Sequence, residues 1–370
     1  MRKPKRLRLI LLALVPILLA PTAAIAAPAP AAAPPEKPAP AADRWPADKA
    51  RDWYQQAPRP CGFNFLPSTA VNTTEMWQAD TFDAATIDRE LGWAEAIGFN
   101  SCRVFLQYLV WQADPERFLE RFDRFLRIAA KHRISVMPVL FDDCAFSGKE
   151  PYLGKQDAPV PGVHNSGWTA SPGYNRVVDR KAWPDLERYV TQVVGRFASD
   201  RRVIAWDLYN EPTNGAIGDR SLPLAEATFA WARRAGPSQP ITLGVWNGNA
   251  KLNRIALDLS DVVTFHNYGG ADAVRRQIAD LKAHGRPVLC TEWMRRPEAR
   301  FETHLPVFKA ENVGWYSWGL VNGKTQTHLP WGSKPGAPDP PEWFHDLLRK
   351  DGTPLLPAEV EIIRQYAAAP

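Results

Sequence analysis

Short apolar runs alternate with amphipathic stretches along most of this 370-residue chain. Uninterrupted apolar runs suit strands buried on both faces, and apolar residues recurring every three or four positions suit helices with one buried stripe. On that pattern, strands are expected at 61–66, 99–106, 134–141, 203–210, 241–246, 261–268, 286–292 and 314–318. Helices are expected at 82–98, 115–132, 183–199, 222–235, 272–284 and 301–310, with a shorter helical segment after 246. Two more are expected at 343–349 and 358–366. Ile87, Leu91 and Ala94 mark the stripe of the first helix and Gly98 its stop. Phe118, Phe122, Phe125 and Ile128 mark the stripe of the second. Residues 142–182 are rich in Gly, Pro, Asn and Ser and predict no regular element. A loop that long inside a compact domain is usually functional.

Strand signals alternating with helices argue for a parallel sheet covered by helices. Eight such units favour a closed barrel over an open doubly wound sheet, and no GxGxxG follows an early strand. The expected fold class is therefore α/β, a single (β/α)8 catalytic domain over 44–370. In such a barrel the C-terminal ends of all strands share one face, where barrel enzymes do their chemistry.

The N-terminus changes the picture of where the chain goes. Arg2, Lys3, Lys5, Arg6 and Arg8 precede an apolar run that ends near Ala20, and small residues follow. That order matches a cleaved secretory signal over 1–26, so a secreted or periplasmic protein is expected. The run is shorter than the roughly 20 residues of a membrane span, and Pro16 interrupts it. Residues 27–43 are almost all Ala and Pro and suit a stiff, extended tether. The net charge of +5 comes entirely from the five basic residues of the leader; the remaining 40 basic residues balance 40 acidic ones. Neither nucleic acid nor, after cleavage, a membrane is an expected partner. The four cysteines, Cys61, Cys102, Cys144 and Cys290, are spread singly and are expected as buried free thiols, with a Cys61–Cys102 bridge as the alternative.

Polar residues cluster where strands stop. The stretch Val203-Ile-Ala-Trp-Asp-Leu-Tyr-Asn-Glu-Pro212 ends in Asn210 and Glu211, and Pro287-Val-Leu-Cys-Thr-Glu-Trp293 carries Glu292 in the same place. Arg103 lies on the second strand. Asp142 and Asp143 end the third, Trp246 and Asn247 the fifth, His266 and Tyr268 the sixth, and Trp318 the eighth. Period two puts His266 and Tyr268 on one side of their strand. Two carboxylates facing each other at about 5 Å can protonate a leaving oxygen and stabilise an oxocarbenium-like centre, with retention of configuration. Like-charge repulsion drives their titrations apart, so one serves as acid and the other as nucleophile. No His/Asp/Glu set has metal-ligand spacing in the sequence, no GxSxG is present, and no cofactor is expected.

The ordered set Asn210-Glu211-Pro212, His266-x-Tyr268, Glu292 after Val-Leu-Cys-Thr, and Trp318 on the last strand resembles the clan of retaining β-glycosidases built on (β/α)8 barrels. It is most similar to the cellulase and β-mannanase type, glycoside hydrolase family 5. The resemblance implies Glu211 as acid/base and Glu292 as nucleophile. It implies Asn210 on the sugar 2-hydroxyl, Tyr268 aiming Glu292, and His266 orienting the sugar or the acid/base. Arg103 would lie beneath Glu292, and Trp318 would be the floor under the sugar. One departure stands out: the family's usual histidine at the end of the third strand is missing, and Asp142 or Asp143 is expected to take over its sugar contact. Trp246, Trp293 and Trp331 are further candidates to stack on a sugar, and Trp77, Trp111 and Trp168 weaker ones. A β-linked oligo- or polysaccharide is the expected substrate, with mannan, cellulose, xylan and galactoside open. A non-catalytic sugar-binding barrel and a transglycosylase using the same residues are the alternatives.

Overall fold

The computed structural model describes residues 43–56 and 58–367. The expected leader and all but the last residue of the Ala/Pro tether lie outside them. Among the described residues eight parallel strands, the fifth in two pieces, make the sheet: β1 (Cys61–Phe65), β2 (Ser101–Phe105), β3 (Ser135–Asp142), β4 (Trp206–Asn210), β5, β6 (Val263–His266), β7 (Val288–Trp293) and β8 (Gly314–Trp318). The strand β5 is split into Ile241–Thr242, which pairs with β4, and Gly244–Val245, which pairs with β6. Between the halves, the Leu243 N–H goes to Ser260 Oγ at 3.1 Å instead of to a strand. With β1 pairing both β2 and β8, the sheet forms a nearly closed barrel.

The main helices are α1 (Ala84–Ile97), α2 (Pro115–Lys131), α3 (Trp183–Arg196), α4 (Leu222–Arg234), α5 (Ala250–Leu259), α6 (Ala271–Lys282), α7 (Phe301–Ala310) and α8 (Pro357–Ala367). Their ends follow local chemistry. Asp83 caps α1 by accepting from the Thr86 N–H, and Gly98 ends it at φ +107°. Asp114 caps α2, with Pro115 in its first turn. The α2 stripe buries Phe118, Phe122 and Phe125 completely. All three rings pack around Trp77, which is fully buried and therefore no sugar platform. Trp111 is buried too, against Tyr108 and Tyr189. Among the described residues no helix is long and apolar enough to cross a membrane.

A helix absent from the sequence pattern, Ala47–Gln55, packs Ala50, together with Trp45 just before the helix, against Met137, Ala205, Val262, Leu289 and Tyr316. Those residues come from around the ring of strands, so the helix stoppers one end of the barrel and leaves the other for chemistry. Asp261 fastens it, accepting from the Trp45 N–H at 2.8 Å while paired to Arg233.

The expected helix at 343–349 is not formed. Leu348 instead makes isolated β-bridges to Val321 and Pro354. The reason is the buried Arg296, which donates to the carbonyls of Trp343 (2.9 Å) and His345 (2.6 Å), groups a helix would have used internally. Its other edge holds Glu359 on α8. Removing one partner of a buried ion pair costs about 3–5 kcal/mol. Arg296→Met is therefore expected to lower unfolding stability by that order in urea titration. A loss below about 1 kcal/mol, the range of exposed pairs, would mean this clamp does not hold the segment.

Candidate active site

The site is built on the strand ends. Its base is Arg103 on β2, fully buried inside the barrel. Its Nη1 donates to Glu292 Oε1 at 2.7 Å and to Asn64 Oδ1 at 2.8 Å. Its Nη2 donates to Asn210 Oδ1 at 2.7 Å, and Nε to Asp207 Oδ2 at 3.0 Å. Burial works against the charge of this guanidinium, but Asp207 and Glu292 outweigh it and keep Arg103 a cation. Arg103 thus organises three strands at once and does not itself line the pocket.

Glu292 receives a second donor, the Tyr268 hydroxyl, on Oε2 at 2.8 Å. Burial beside two carboxylates holds Tyr268 in its phenol form, well above its ordinary pKa. Tyr268 lies beyond the end of β6, so strand alternation does not bring it here as the sequence suggested. The register slips after Phe265, pairing His266 with Glu292, and the chain then carries Tyr268 over the barrel mouth.

Glu211 follows the last residue of β4 and has φ +43°, a left-handed conformation that costs a non-glycine residue about 1–3 kcal/mol. Neighbours hold the turn in place. Asp143 accepts from the Thr213 N–H at 2.8 Å and from the Tyr209 hydroxyl at 2.7 Å. Trp246 Nε1 donates to the Pro212 carbonyl at 2.9 Å. The elbow swings the Glu211 carboxylate over the mouth, where His266 Nδ1 reaches its Oε1 at 2.7 Å and Asn214 its Oε2.

The third strand corrects two expectations. Asp142 does not line the pocket. Its oxygens accept from Asn210 Nδ2 (2.9 Å), the Cys144 N–H (2.9 Å) and Trp168 Nε1 (2.7 Å), and burial still pushes it up to about 7. Asp143 is likewise spent on the Glu211 elbow. The family's histidine has no carboxylate substitute here. The wall at this point is Cys144, whose Sγ lies 3.4 Å from Glu211 Oε2, with Trp168 beside it. All four cysteines are free and buried.

The pocket encloses about 700 Å³, within the range of small-molecule sites. Glu211, Glu292, Asn210, His266, Tyr268, Trp246 and Trp318 all line it, as does the half-exposed Trp331. Trp293 does not: its ring is fully buried, stacked on His304 and edged by Phe301, Phe308 and Trp315. Sequence reasoning missed Phe105, Cys144, Asn214 and His345 as lining residues. Only Cys144 carried a signal, lying two residues past Asp142.

One oxygen of each glutamate and a ring nitrogen of His266 lie within 4.8 Å of one another. Distant sequence positions thus converge into a set that spacing alone did not reveal and that is small enough to grip an ion. Its chemistry favours protons instead, because the Arg103 cation already sits on Glu292 and Tyr268 donates to its other oxygen. The two carboxyls titrate together. Burial raises Glu292 and the negative Glu211 raises it further, while His266, Arg103 and Tyr268 pull it down. On Glu211 burial is outweighed by the His266 contact, which draws it below its ordinary value. The His266 contact therefore favours the ionised form of Glu211, while on Glu292 the cation of Arg103 and the Tyr268 hydroxyl act against burial and the neighbouring carboxylate.

Fold and site together define a (β/α)8 barrel carrying a carboxylate pair, Glu292 buried and Glu211 partly exposed, at the C-terminal ends of β7 and β4. Residues 162–332, just under half of the chain, match the model of cellulase (glycosyl hydrolase family 5), so the barrel is similar to that family. That match contains Glu211, His266, Glu292 and Trp318 but not Arg103. The chain is 24% identical over 249 residues to a probable mannan endo-1,4-β-mannosidase C of Aspergillus terreus, covering 56% of this chain and 58% of the relative. Among solved structures, an exo-β-1,4-mannosidase of an Opitutaceae bacterium superposes with a TM-score of 0.61 at 16% identity, over 84% of this chain and 59% of that one. The endo-β-1,4-mannanase of Thermotoga petrophila gives 0.55 at 15% identity, over 84% and 76%. This chain therefore spans less than two thirds of the first two relatives.

Proposed function

We propose that the protein is an exported, retaining β-glycosidase that works by double displacement on β-linked oligo- or polysaccharides. The observation that carries this reading is the carboxylate pair, with oxygens within 4.8 Å at the ends of two barrel strands. That is close to the roughly 5 Å spacing of retaining enzymes and too tight for the roughly 6.5–9.5 Å that lets a water in between. Glu292 attacks the anomeric carbon while Glu211 gives its proton to the departing oxygen. Glu211, now a base, takes a proton from water as that water displaces Glu292 from the sugar. Arg103 and Tyr268 draw the nucleophile toward its ionised form, against burial and Glu211, and aim it. Asn210 would meet the 2-hydroxyl with the Nδ2 hydrogen that otherwise makes only a weak 3.5 Å contact to Cys144 Sγ, and Trp318 offers a flat face to the ring. The curated relative favours β-mannosides as the sugar.

A release assay on aryl β-glycosides, β-mannans, β-glucans and xylans, run for wild type and Glu292→Gln, tests the function. Activity on a β-linked sugar that vanishes in the variant is expected. Sugar binding without turnover across the panel would favour the non-catalytic barrel instead. Export is tested by N-terminal sequencing of protein recovered outside the cytoplasm, with a mature start near residue 27 expected.

His266 supplies a pH prediction. It lowers the Glu211 titration, so His266→Asn should raise it. The alkaline limb of kcat/KM follows loss of the Glu211 proton and should move to higher pH. A limb that stays in place or moves down would separate His266 from the acid/base.

A further inference from the structure

We propose that the pocket is blind on the side of the retained sugar, so that the protein removes single residues from non-reducing chain ends and does not cut inside chains. The inference rests on the β-glycosidase reading above. Glu211 must face the departing oxygen, so the leaving group lies on its side of the pocket. The retained sugar lies over Glu292 beside Trp318. A longer chain on the retained side would continue past Trp318 and over β1, which is the neighbour of β8 in the barrel.

That path is closed by three aromatic rings. Phe105 from the end of β2, Trp168 from the loop after β3 and Trp318 from β8 stand mutually edge to face. Their centroids are 5.4 Å apart for Phe105–Trp168, 5.9 Å for Phe105–Trp318 and 6.2 Å for Trp168–Trp318. The three rings line the main pocket on one side. On the other they line a remnant of about 30 Å³ over Asn64, Phe65 and Leu66. That volume is about one water's share of the liquid and far below a sugar ring.

The partition is held from below and above. Asp142, the strand-end carboxylate that makes no pocket contact, accepts from Trp168 Nε1 at 2.7 Å. This gives the buried acid a purpose: it fixes the wall. Above, the loop after β3 is clasped to the loop after β8. The Asn165 N–H meets the Thr325 carbonyl at 2.7 Å, and the Gly336 N–H meets the Pro161 carbonyl at 2.9 Å. His164 Nδ1 meets the Leu329 carbonyl at 2.6 Å, and Gln326 Nε2 the Val160 carbonyl at 2.8 Å. The loops approach so closely at Gly162, φ +83°, that a Cβ there would lie 2.3 Å from the Ala337 nitrogen. The opposite side, past Glu211, is lined by Asn214, Trp246 and Asn247 and is left for the leaving group.

The test uses β-1,4-linked pentasaccharides of the sugar preferred in the panel, or of mannose if none is turned over, labelled at the reducing end with 2-aminobenzamide. One set has a free non-reducing end and the other a methyl group on its terminal O4. Wild type should release monosaccharide and shorten the label one unit at a time, and should leave the capped set intact. Labelled mono- or disaccharide in the first products, or cleavage of the capped set, would overturn the blind pocket. Binding to Glu292→Gln is measured in parallel by calorimetry. The free-ended set should bind at least tenfold tighter than the capped one, and equal binding would overturn the proposal even if no sugar is turned over. Trp168→Ala, which joins the two cavities, should narrow that difference. Absence of all turnover, with the binding difference intact, would fail the glycosidase reading and leave the wall standing.

Discussion

Glu292→Gly should lose roughly 10⁴- to 10⁶-fold in kcat, the scale seen when a covalent nucleophile is removed, and azide should restore turnover with an α-glycosyl azide as product. The glycine leaves a space beneath the anomeric carbon that the small anion can occupy. Attack from that side on a β-glycoside inverts it, and no carboxylate remains to invert it back. The same experiment on Glu211→Gly should give a β-glycosyl azide from an activated aryl glycoside. There the covalent intermediate still forms on Glu292, and azide replaces water in the second step. Product stereochemistry thus separates the roles of two glutamates that are close in space and titrate together. A β product from Glu292→Gly would reverse the assignment.

Arg103→Met should have the next largest effect, and it should be double. The guanidinium is fully buried and satisfies Glu292, Asp207, Asn210 and Asn64 together. Its loss leaves Asp207 and Glu292 as buried anions without their cation, at a cost of about 3–5 kcal/mol. Denaturant titration reads that loss. The second effect is electrostatic: Arg103 lowers the Glu292 titration, so removing it raises that titration. A nucleophile works only when ionised, so the acid limb of kcat/KM should move to higher pH. A purely structural arginine would reduce stability and leave that limb in place.

The elements were legible wherever one local rule dominated. The helix α7 (Phe301–Ala310) and the strand β8 (Gly314–Trp318) fall where periodicity puts them. The segment 343–349 has a helical pattern too, but Arg296, about 50 residues away, takes its carbonyls. No local rule contains that partner. The short helices Ala47–Gln55 and Thr73–Trp77 were missed because each is held by tertiary packing, on the barrel floor and around the α2 phenylalanines.

The tryptophans show the same limit at the site. Trp293 follows Glu292 directly and looked like a platform, yet strand alternation turns its ring into the helix layer. Trp168 lies in an irregular loop and looked weak, yet Asp142 draws its indole to the pocket wall.

By itself the sequence determined the barrel, the strand ends at which polar groups gather and the pairing of Glu211 with Glu292. Periodicity and strand termination are properties of neighbouring residues, and a chain carries them directly. Only the tertiary structure decided the 4.8 Å convergence with His266, the slip after Phe265 that delivers Tyr268, and the left-handed turn at Glu211. It alone turned Asp142 from a sugar contact into the anchor of a wall. Each of these depends on which distant groups compete for a buried donor or acceptor. Satisfying buried polar groups is a global problem, solved once all the strands are in place.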